Sequence, residues 1–214
     1  AKTNEILRVR GQVLPVTGKN VDLCAVLENG SYVYGESEIP QEAIRQNSPI
    51  AKVFLEPEKP EAAGKVLETI RKADMIIIGP GSLFTSIIPN FLVDGVCEEI
   101  KASMARKILI CNMMTQPGET DKYSVCDHVE RVAEYLGDNI IEYVIANNKM
   151  IDAEALKPYK EDNSDQIMPT DKDRRLLREK GITLIENNFV DIKKGYIRHD
   201  ADRIAGIVYN LICE

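Results

Sequence analysis

The sequence has no tryptophan, and aromatic residues make up only 6% of its 214 residues. Its 27 lysines and arginines are scattered along the chain and are outnumbered by 34 aspartates and glutamates, so the formal net charge is −7. Proteins that bind nucleic acid usually carry a basic stripe with aromatic side chains on which bases stack. The composition therefore argues against nucleic acid as the main partner, but it is compatible with a local cationic pocket for a small anionic ligand.

Cysteine and histidine are also scarce. The five cysteines are far apart, odd in number and form no Cys-x-x-Cys pair, which argues against a disulfide framework or a zinc site and fits a reducing cytoplasm. The two histidines, His128 and His199, belong to no paired motif, so a histidine metal site or a Ser-His-Asp triad has little support. We expect His128 to be structural and His199 to be a surface or capping residue.

Long apolar runs are absent as well. No run approaches the roughly 18 residues that a membrane-spanning helix needs, and no signal peptide opens the chain. We therefore expect a cytoplasmic protein with no membrane partner. The opening segment Ala1–Leu7 has no initiator methionine and is typical of the last turns of a helix, so we expect a further segment upstream.

The most informative motif that is present joins an apolar strand to a glycine turn. Met75–Ile78 predicts a strand buried on both faces, as in a parallel sheet covered by helices. It is followed by Gly79-Pro-Gly81 and then by the hydroxyl side chains of Ser82, Thr85 and Ser86. Glycines let backbone N–H groups approach a ligand, and open α/β sheets bind ligands beyond the carboxyl ends of their strands. The motif predicts one wall of a phosphate or nucleotide site, the alternative being a tight turn before a short helix.

Strand and helix patterns alternate from residue 51 onward. The predicted strands are Lys52–Leu55, Met75–Ile78, Lys107–Cys111, Ile140–Ala146 and Ile182–Ile185, and the predicted helices are Pro60–Ala73, Val93–Met104, Ser124–Leu136 and Asp200–Cys213. Repeated strand–helix units of this length require right-handed crossovers, so they predict an α/β fold with a mainly parallel sheet. The polar segment Asn147–Asp173 predicts a short helix and an exposed loop.

A small antiparallel excursion is expected before this alternation. Asn29-Gly30 separates the apolar runs Val21–Leu27 and Ser31–Tyr34, which is a strong hairpin signal. With the polar segment that follows, it predicts a β-hairpin excursion over about residues 20–47. We expect a single α/β domain over residues 1–214, incomplete at its N-terminus.

A second polar loop follows the predicted strand Lys107–Cys111, and a third strand ends at Asn147. Asparagine and glutamine present paired donors and acceptors, which suit recognition of a base or a sugar. A capped loop is the alternative, because Ser124-Val-Cys-Asp127 resembles a capping box. The candidate ligand-binding residues at the three strand ends are Gly79, Gly81, Ser82, Leu83, Thr85, Asn112, Thr115, Gln116, Thr120 and Asn147.

The two long motifs carry a resemblance to a known family. Gly79–Asn90 and Asn112–Thr120, followed by Asp127-His-Val129, resemble the bacterial gluconeogenesis factor family, which is related to the 2-phospho-L-lactate transferases of deazaflavin cofactor synthesis. Further segments that fit the same pattern are Arg8–Pro15, Gly35–Ser37, Val53–Pro57 and Tyr196–Asp200.

The resemblance implies a Rossmann-like three-layer α/β/α fold that binds a nucleotide sugar, UDP-glucose or UDP-N-acetylglucosamine. It also implies a role in growth on gluconeogenic carbon sources and in cell shape, through the supply of peptidoglycan precursors. Proteins of this kind open with a strand, a triple-glycine phosphate loop and an Asp-Asp-Gly-Gly segment, and this sequence contains neither motif. The resemblance therefore predicts a C-terminal portion that binds nucleotide weakly or not at all by itself.

Two functions compete on these observations. The first is a nucleotide-sugar-binding regulator with no assigned catalytic residue, metal or cofactor. The second is a transferase that moves a phospholactyl group from a GDP-activated donor to a deazaflavin with Mg²⁺, which requires carboxylates near the acceptor and the metal. The loops are rich in amides and hydroxyls and poor in clustered carboxylates, which favours binding. A third hypothesis is a purely structural fragment within a larger assembly. The sequence does not determine the oligomeric state, and a homodimer is one possibility.

Overall fold

An antiparallel sheet opens the part of the chain that the computed structural model describes, residues 11–213. Its strands are β1 (Asp22–Leu27), β2 (Tyr32–Tyr34) and β3 (Ile50–Glu56), in the order β2-β1-β3, and helix α1 (Glu38–Arg45) lies between β2 and β3 in the chain. The Asn-Gly hairpin is confirmed: Gly30 has a φ of 86°, and its N–H donates to the carbonyl of Leu27 over 2.9 Å. The interpretation of Ala1–Leu7 lies outside the described residues, as do the first three residues of Arg8–Pro15.

One strand prediction was wrong in its pairing. The predicted strand Lys52–Leu55 lies within β3, which pairs antiparallel with β1 and does not join the parallel sheet. The physical reason is visible in its alternation, because Val53 and Leu55 are buried while Lys52 is exposed. A strand with one solvated face is typical of an antiparallel sheet, whereas strands of a covered parallel sheet are apolar on both faces. The polar segment Glu36–Asn47 supplies helix α1 and no strand.

The remaining elements alternate along the chain. They are α2 (Gly64–Arg71), β4 (Met75–Ile78), a π-helical turn (Leu83–Ile87) that continues into α3 (Ile88–Phe91), α4 (Val96–Ala102), β5 (Arg106–Ile110), α5 (Val125–Leu136), β6 (Tyr143–Asn147), α6 (Ala153–Glu161), α7 (Asp171–Glu179), β7 (Thr183–Asn187), β8 (Val190–Lys193), β9 (Tyr196–His199) and α8 (Ala201–Cys213). No helix among residues 11–213 combines the length and the apolarity needed to cross a membrane.

The main sheet is parallel and has the order β4-β5-β6-β7. All three of its pairings are parallel, which confirms the predicted parallel sheet: the strands predicted to begin at Met75, Lys107 and Ile140, which follow one another in the sequence, are neighbours, with their carboxyl ends at one edge. Alternate side chains of β5 enter different hydrophobic clusters: Leu109 packs with α5 residues on one face, and Ile108 and Ile110 pack with Ile204 of α8 on the other. Helices therefore cover both faces of the sheet, and the protein has a Rossmann-like α/β fold.

Strand β4 is less buried than its sequence predicts. Ile77 is 44% exposed, so the expectation that this strand is buried on both faces was wrong. The reason is its place in the sheet, because β4 ends the strand order and no described strand pairs with its other side. The apolar run therefore predicted strand β4 and its pairing with β5 correctly, but it could not show that β4 lies at an edge of the sheet.

Helices α5, α7 and α8 begin at well-defined caps. The capping box at Ser124 and Asp127 is confirmed, and Asp200 caps α8 by accepting the N–H of Arg203 over 3.0 Å. Asp173, only 1% exposed, accepts from Thr170 at the start of α7 and from the N–H of Cys126 in α5. One carboxylate thus stabilises the N-terminal ends of two helices.

Candidate functional site

A cleft of about 540 Å³ lies at the carboxyl ends of β4 and β5. Four parts of the chain meet there: the first loop (Gly79–Ser82), the second loop (Asn112–Thr120), helix α6 and the hairpin of β8 and β9. The lining residues are Pro80, Gly81, Ser82, Asn112, Met113, Met114, Gln116, Tyr159, Ile197, Arg198 and His199. Its size and position are those of a small-molecule site in an α/β protein.

The first loop depends on Gly79. This residue has a φ of +77°, a backbone conformation that residues other than glycine rarely adopt. A Cβ atom added there would lie 3.1 Å from the carbonyl oxygen of Ile110 and 3.1 Å from Ile87. The loop therefore turns sharply against the end of β5, and this turn places Gly81 and Ser82 on the cleft.

The first and second loops are joined by side-chain amides. Asn112 accepts from the N–H of Gly81 over 3.2 Å and donates to the Gly81 carbonyl over 2.8 Å. Gln116 donates to the hydroxyl of Ser82 over 2.7 Å and accepts from Asn112 over 3.3 Å. Because Gln116 takes an acceptor site of the Ser82 oxygen, the hydroxyl hydrogen is free to donate to a ligand. The predicted polar groups of these loops therefore hold each other in place.

A buried carboxylate completes the connection. Glu119 is 7% exposed and accepts from the N–H of Phe84 and from the hydroxyl of Thr85, each over 3.0 Å. Burial raises the pKa of Glu119, and the hydrogen bonds from Thr85 and Phe84 oppose that shift. Thr85 therefore points to Glu119 beneath the loop and does not line the cleft.

Three other predicted residues are buried supports. Thr115 accepts from the N–H of Asp165 over 2.8 Å, and Thr120 accepts from the N–H of Gln116 over 2.9 Å. Asn147 accepts from the N–H of Phe189 over 3.1 Å. All three side chains are less than 5% exposed.

The structure thus brings only part of the predicted set to the cleft. Gly81, Ser82, Asn112 and Gln116 line it, and Gly79 forms the turn beside it. The residues that lie beneath are Leu83, Thr85, Thr115, Thr120 and Asn147. No contact with a ligand tests any of these roles, so each stays a prediction.

The opposite wall was missed by the sequence interpretation. Arg198 is exposed, and its guanidinium lies 5.9 Å from the centroid of the Tyr196 ring. The hydroxyl of Tyr159 accepts from the N–H of Ile197 over 2.9 Å. The hairpin turn did leave a signal in the sequence, which is the glycine at position 195. Lys194 and Gly195 form a two-residue turn in which both residues have a positive φ, and glycine favours that conformation.

The two histidines differ in their surroundings. His199 is half-buried, lines the cleft and lies 3.1 Å through its Nε2 from the carbonyl oxygen of Cys111, so the expectation of a surface or capping residue was wrong. Burial lowers its pKa, and the hydrogen bond to Cys111 opposes the shift. His128 is 3% exposed with its Nδ1 2.8 Å from the Ser124 carbonyl, a structural setting in which burial lowers the pKa.

The charge of the cleft comes from one side chain. Arg198 is the only lysine, arginine, aspartate or glutamate among its described lining residues. Within residues 11–213, no three His, Cys, Asp or Glu side chains are grouped closely enough to hold a metal ion. The polar side chains that line the cleft are therefore one guanidinium, two primary amides, the hydroxyl of Ser82, the phenol of Tyr159 and one imidazole.

Comparison with known proteins gives concordant matches. A model of the family described as 2-phospho-L-lactate transferase CofD matches residues 1–190. The chain is 43% identical over 213 residues to a Clostridium acetobutylicum protein named "Putative gluconeogenesis factor" and 39% identical over 211 residues to the gluconeogenesis factor of Bacillus subtilis. A crystal structure of a UPF0052 family member from Bacillus halodurans is 36% identical, with a TM-score of 0.88.

These matches cover nearly all of this chain but only part of each relative. The Clostridium match takes in 100% of this chain and 47% of the relative, and the Bacillus subtilis match takes in 99% and 64%. The match to the solved structure takes in 97% of this chain and 65% of the solved chain. The chain therefore spans about half to two thirds of the length of these relatives.

Proposed function

Because this chain belongs to the CofD family, in agreement with the predicted resemblance to gluconeogenesis factors and their transferase relatives, we propose that its cleft is part of a nucleotide-sugar site of a regulatory protein. The favoured ligands are UDP-glucose and UDP-N-acetylglucosamine. Relatives named gluconeogenesis factor support a role in growth on gluconeogenic carbon sources. The proposal extends this role to cell shape, through control of peptidoglycan precursors.

The observation that carries the proposal is the position of Arg198 opposite the neutral groups of the two loops. A guanidinium binds phosphate oxygens through charge-assisted, often bidentate hydrogen bonds. Beyond the bonds between the loops, Gln116 keeps one amide hydrogen and each of the two amide oxygens keeps one acceptor site, which can pair with the donors and acceptors of a base or a sugar. One cation beside several neutral hydrogen-bonding groups suits a diphosphate that joins a nucleoside to a sugar.

The state of Glu119, the buried carboxylate beneath the loops, favours binding over catalysis. Both oxygens of Glu119 accept hydrogen bonds from the turn that follows the first loop, so neither is directed at a reacting group. The polar lining side chains are amides, a hydroxyl, an imidazole, a phenol and a guanidinium, a set that does not fit Mg²⁺, which prefers carboxylate and phosphate oxygens. No catalytic step is assigned to this chain.

Calorimetric titration with UDP-N-acetylglucosamine tests the proposal. It should be carried out on the 214-residue chain and on a form with the full length of the relatives, with Arg198→Leu compared with Lys193→Leu. Lys193 is a cation of the same hairpin outside the cleft. Since hydrogen bonds to charged groups contribute roughly 1.5–3 kcal/mol, loss of Arg198 should weaken binding at least about tenfold. Equal affinities of the two variants would contradict the proposal.

The alternative is a phospholactyl transferase that uses a GDP-activated donor, a deazaflavin acceptor and Mg²⁺. The name of the matching family model is the observation that favours it. That match ends at residue 190, before β9, whereas the Clostridium relative matches the whole chain, including the wall that carries Arg198. The same titrations with GDP distinguish the two functions: tighter binding of GDP than of UDP-sugars, strengthened by Mg²⁺, would favour the transferase.

A further inference from the structure

The bond between His199 and Cys111 joins two parts of the cleft that are far apart in sequence. Cys111 directly follows β5 and precedes Asn112, the first residue of the second loop. A carbonyl oxygen only accepts, so Nε2 of His199 carries the hydrogen of this 3.1 Å bond. The bond therefore connects the end of β9 to the base of the second loop.

Near Arg198 the hairpin is also held by Ile197, which packs against the hydrophobic cluster on the α8 face of the sheet, but it has few other attachments there. Among the described strands, β8 and β9 pair only with each other. On one side of Arg198 the N–H of Ile197 donates to Tyr159, and on the other side the His199 ring is bonded to Cys111. The two residues next to the exposed guanidinium are thus fixed, although Arg198 itself projects from the hairpin.

The base of the hairpin is held independently of these bonds. Phe189 is fully buried in the hydrophobic cluster on the α8 face of the sheet, and its carbonyl accepts from the N–H of Asp200 over 2.7 Å. Loss of the histidine bond should therefore leave the hairpin attached while the end of β9, then held by Ile197 and Tyr159 alone, shifts more readily. Because the base of the hairpin is held separately from the end of β9, the role of His199 can be tested without unfolding the protein.

We propose that His199 is a positioning residue that fixes Arg198 beside the two loops through its hydrogen bond to the Cys111 carbonyl. The proposal rests on the proposed function, because it assigns to Arg198 the phosphate groups of the nucleotide sugar. With the cation held in place before binding, less conformational freedom is lost when the ligand arrives.

Two substitutions separate the hydrogen bond from the volume of the ring. His199→Leu fills similar space without a donor, whereas His199→Gln keeps a side-chain N–H at a comparable distance from the backbone. Lys193→Leu is the control, because it alters the same hairpin outside the cleft. Each histidine variant is made with Arg198 and with Arg198→Leu.

Affinity for UDP-N-acetylglucosamine is measured first, in the form with the length of the relatives. We expect His199→Leu to weaken binding about tenfold and His199→Gln less than about threefold, the scale of a displaced hydrogen bond to a charged group. In the Arg198→Leu background, His199→Leu should have almost no further effect. An equal loss in both backgrounds would show that His199 does not act through Arg198 and would overturn the proposal.

Amide hydrogen exchange of Ile197, followed by NMR, provides a readout without ligand. His199→Leu should accelerate this exchange about tenfold relative to the wild type, while His199→Gln and Lys193→Leu should leave it nearly unchanged. Unchanged exchange in His199→Leu would overturn the proposal by itself. If the wild type binds no nucleotide sugar, the proposed function fails, and exchange then decides whether His199 fixes this part of β9.

Discussion

The two walls of the cleft are built in opposite ways. The wall made by the first and second loops consists of neutral groups bonded to one another above a buried carboxylate, Glu119. The hairpin wall carries an exposed cation, Arg198, and is attached near it by single side-chain bonds from Tyr159 and His199. This difference indicates that substitutions at the buried supports of the loop wall act mainly on stability, whereas those at groups that line the cleft, above all on the hairpin wall, act mainly on ligand affinity.

The largest effect is expected from Gly118→Ala in the loop wall. Gly118 has a φ of +79°, and an added Cβ would lie 2.2 Å from the carbonyl oxygen of Pro40. Backbone strain and overpacking together should lower the unfolding free energy by about 3–5 kcal/mol, measured by urea unfolding. Gly195→Ala in the hairpin turn is the matched control, because its φ is +80° but nothing lies within 4 Å. Similar losses in both variants would contradict the difference between the walls.

Glu119→Ala should have the next largest effect. It leaves the N–H of Phe84 and the hydroxyl of Thr85 without their acceptor beneath the loops. Each of the two buried donors left unpaired costs about 1–3 kcal/mol, and removal of the desolvation cost of the buried carboxylate offsets part of this loss, so we expect the unfolding free energy to fall by about 2–4 kcal/mol. The exposed Glu58→Ala serves as control. A fall below about 1 kcal/mol would mean that Glu119 contributes little to the loop wall.

Gly81→Val should damage binding more than stability, in contrast to Gly79→Val. A Cβ at Gly81 would meet Ile87 at 3.6 Å and Ser86 at 3.8 Å, which are ordinary contacts, whereas Gly79 has a positive φ and contacts at 3.1 Å. Because Gly81 lines the cleft, we expect the Gly81→Val variant to bind UDP-N-acetylglucosamine about tenfold more weakly and to lose less than about 1.5 kcal/mol of unfolding free energy. Calorimetry measures the affinity of both variants, and urea unfolding measures their stability. A large loss of stability in Gly81→Val would contradict the prediction.

The smallest effect concerns pH. Burial lowers the pKa of His199, so the folded protein binds fewer protons than the unfolded chain between the two pKa values. The stabilisation is complete above the unfolded pKa, about 6.5, and is lost as the pH falls through the folded pKa. Unfolding free energies at about pH 7.5 and 5.5 should differ less in His199→Gln than in the wild type, since the variant keeps only His128 as a histidine. Equal differences would show that His199 titrates as in the unfolded chain.

The sequence predicted the loop wall better than the hairpin wall for a physical reason. Parallel strands end at one edge, so the polar residues after Ile78 and Ile110 could be placed together from the strand pattern alone. Which of them face the cleft depends on partners such as Glu119 and Asp165, which strand periodicity does not specify. Arg198 reaches the cleft through long-range bonds between side chains and backbone, and no local pattern indicates those.

The central claim is that a nucleotide sugar binds between the two walls. It is tested most directly by backbone NMR spectra of the form with the length of the relatives, recorded during titration with UDP-N-acetylglucosamine. We predict that the largest shift changes fall on Gly81, Ser82 and Asn112 in the loop wall and on Arg198 and His199 in the hairpin wall. Saturating changes confined to other parts of the chain, with these five residues unaffected, would contradict the claim.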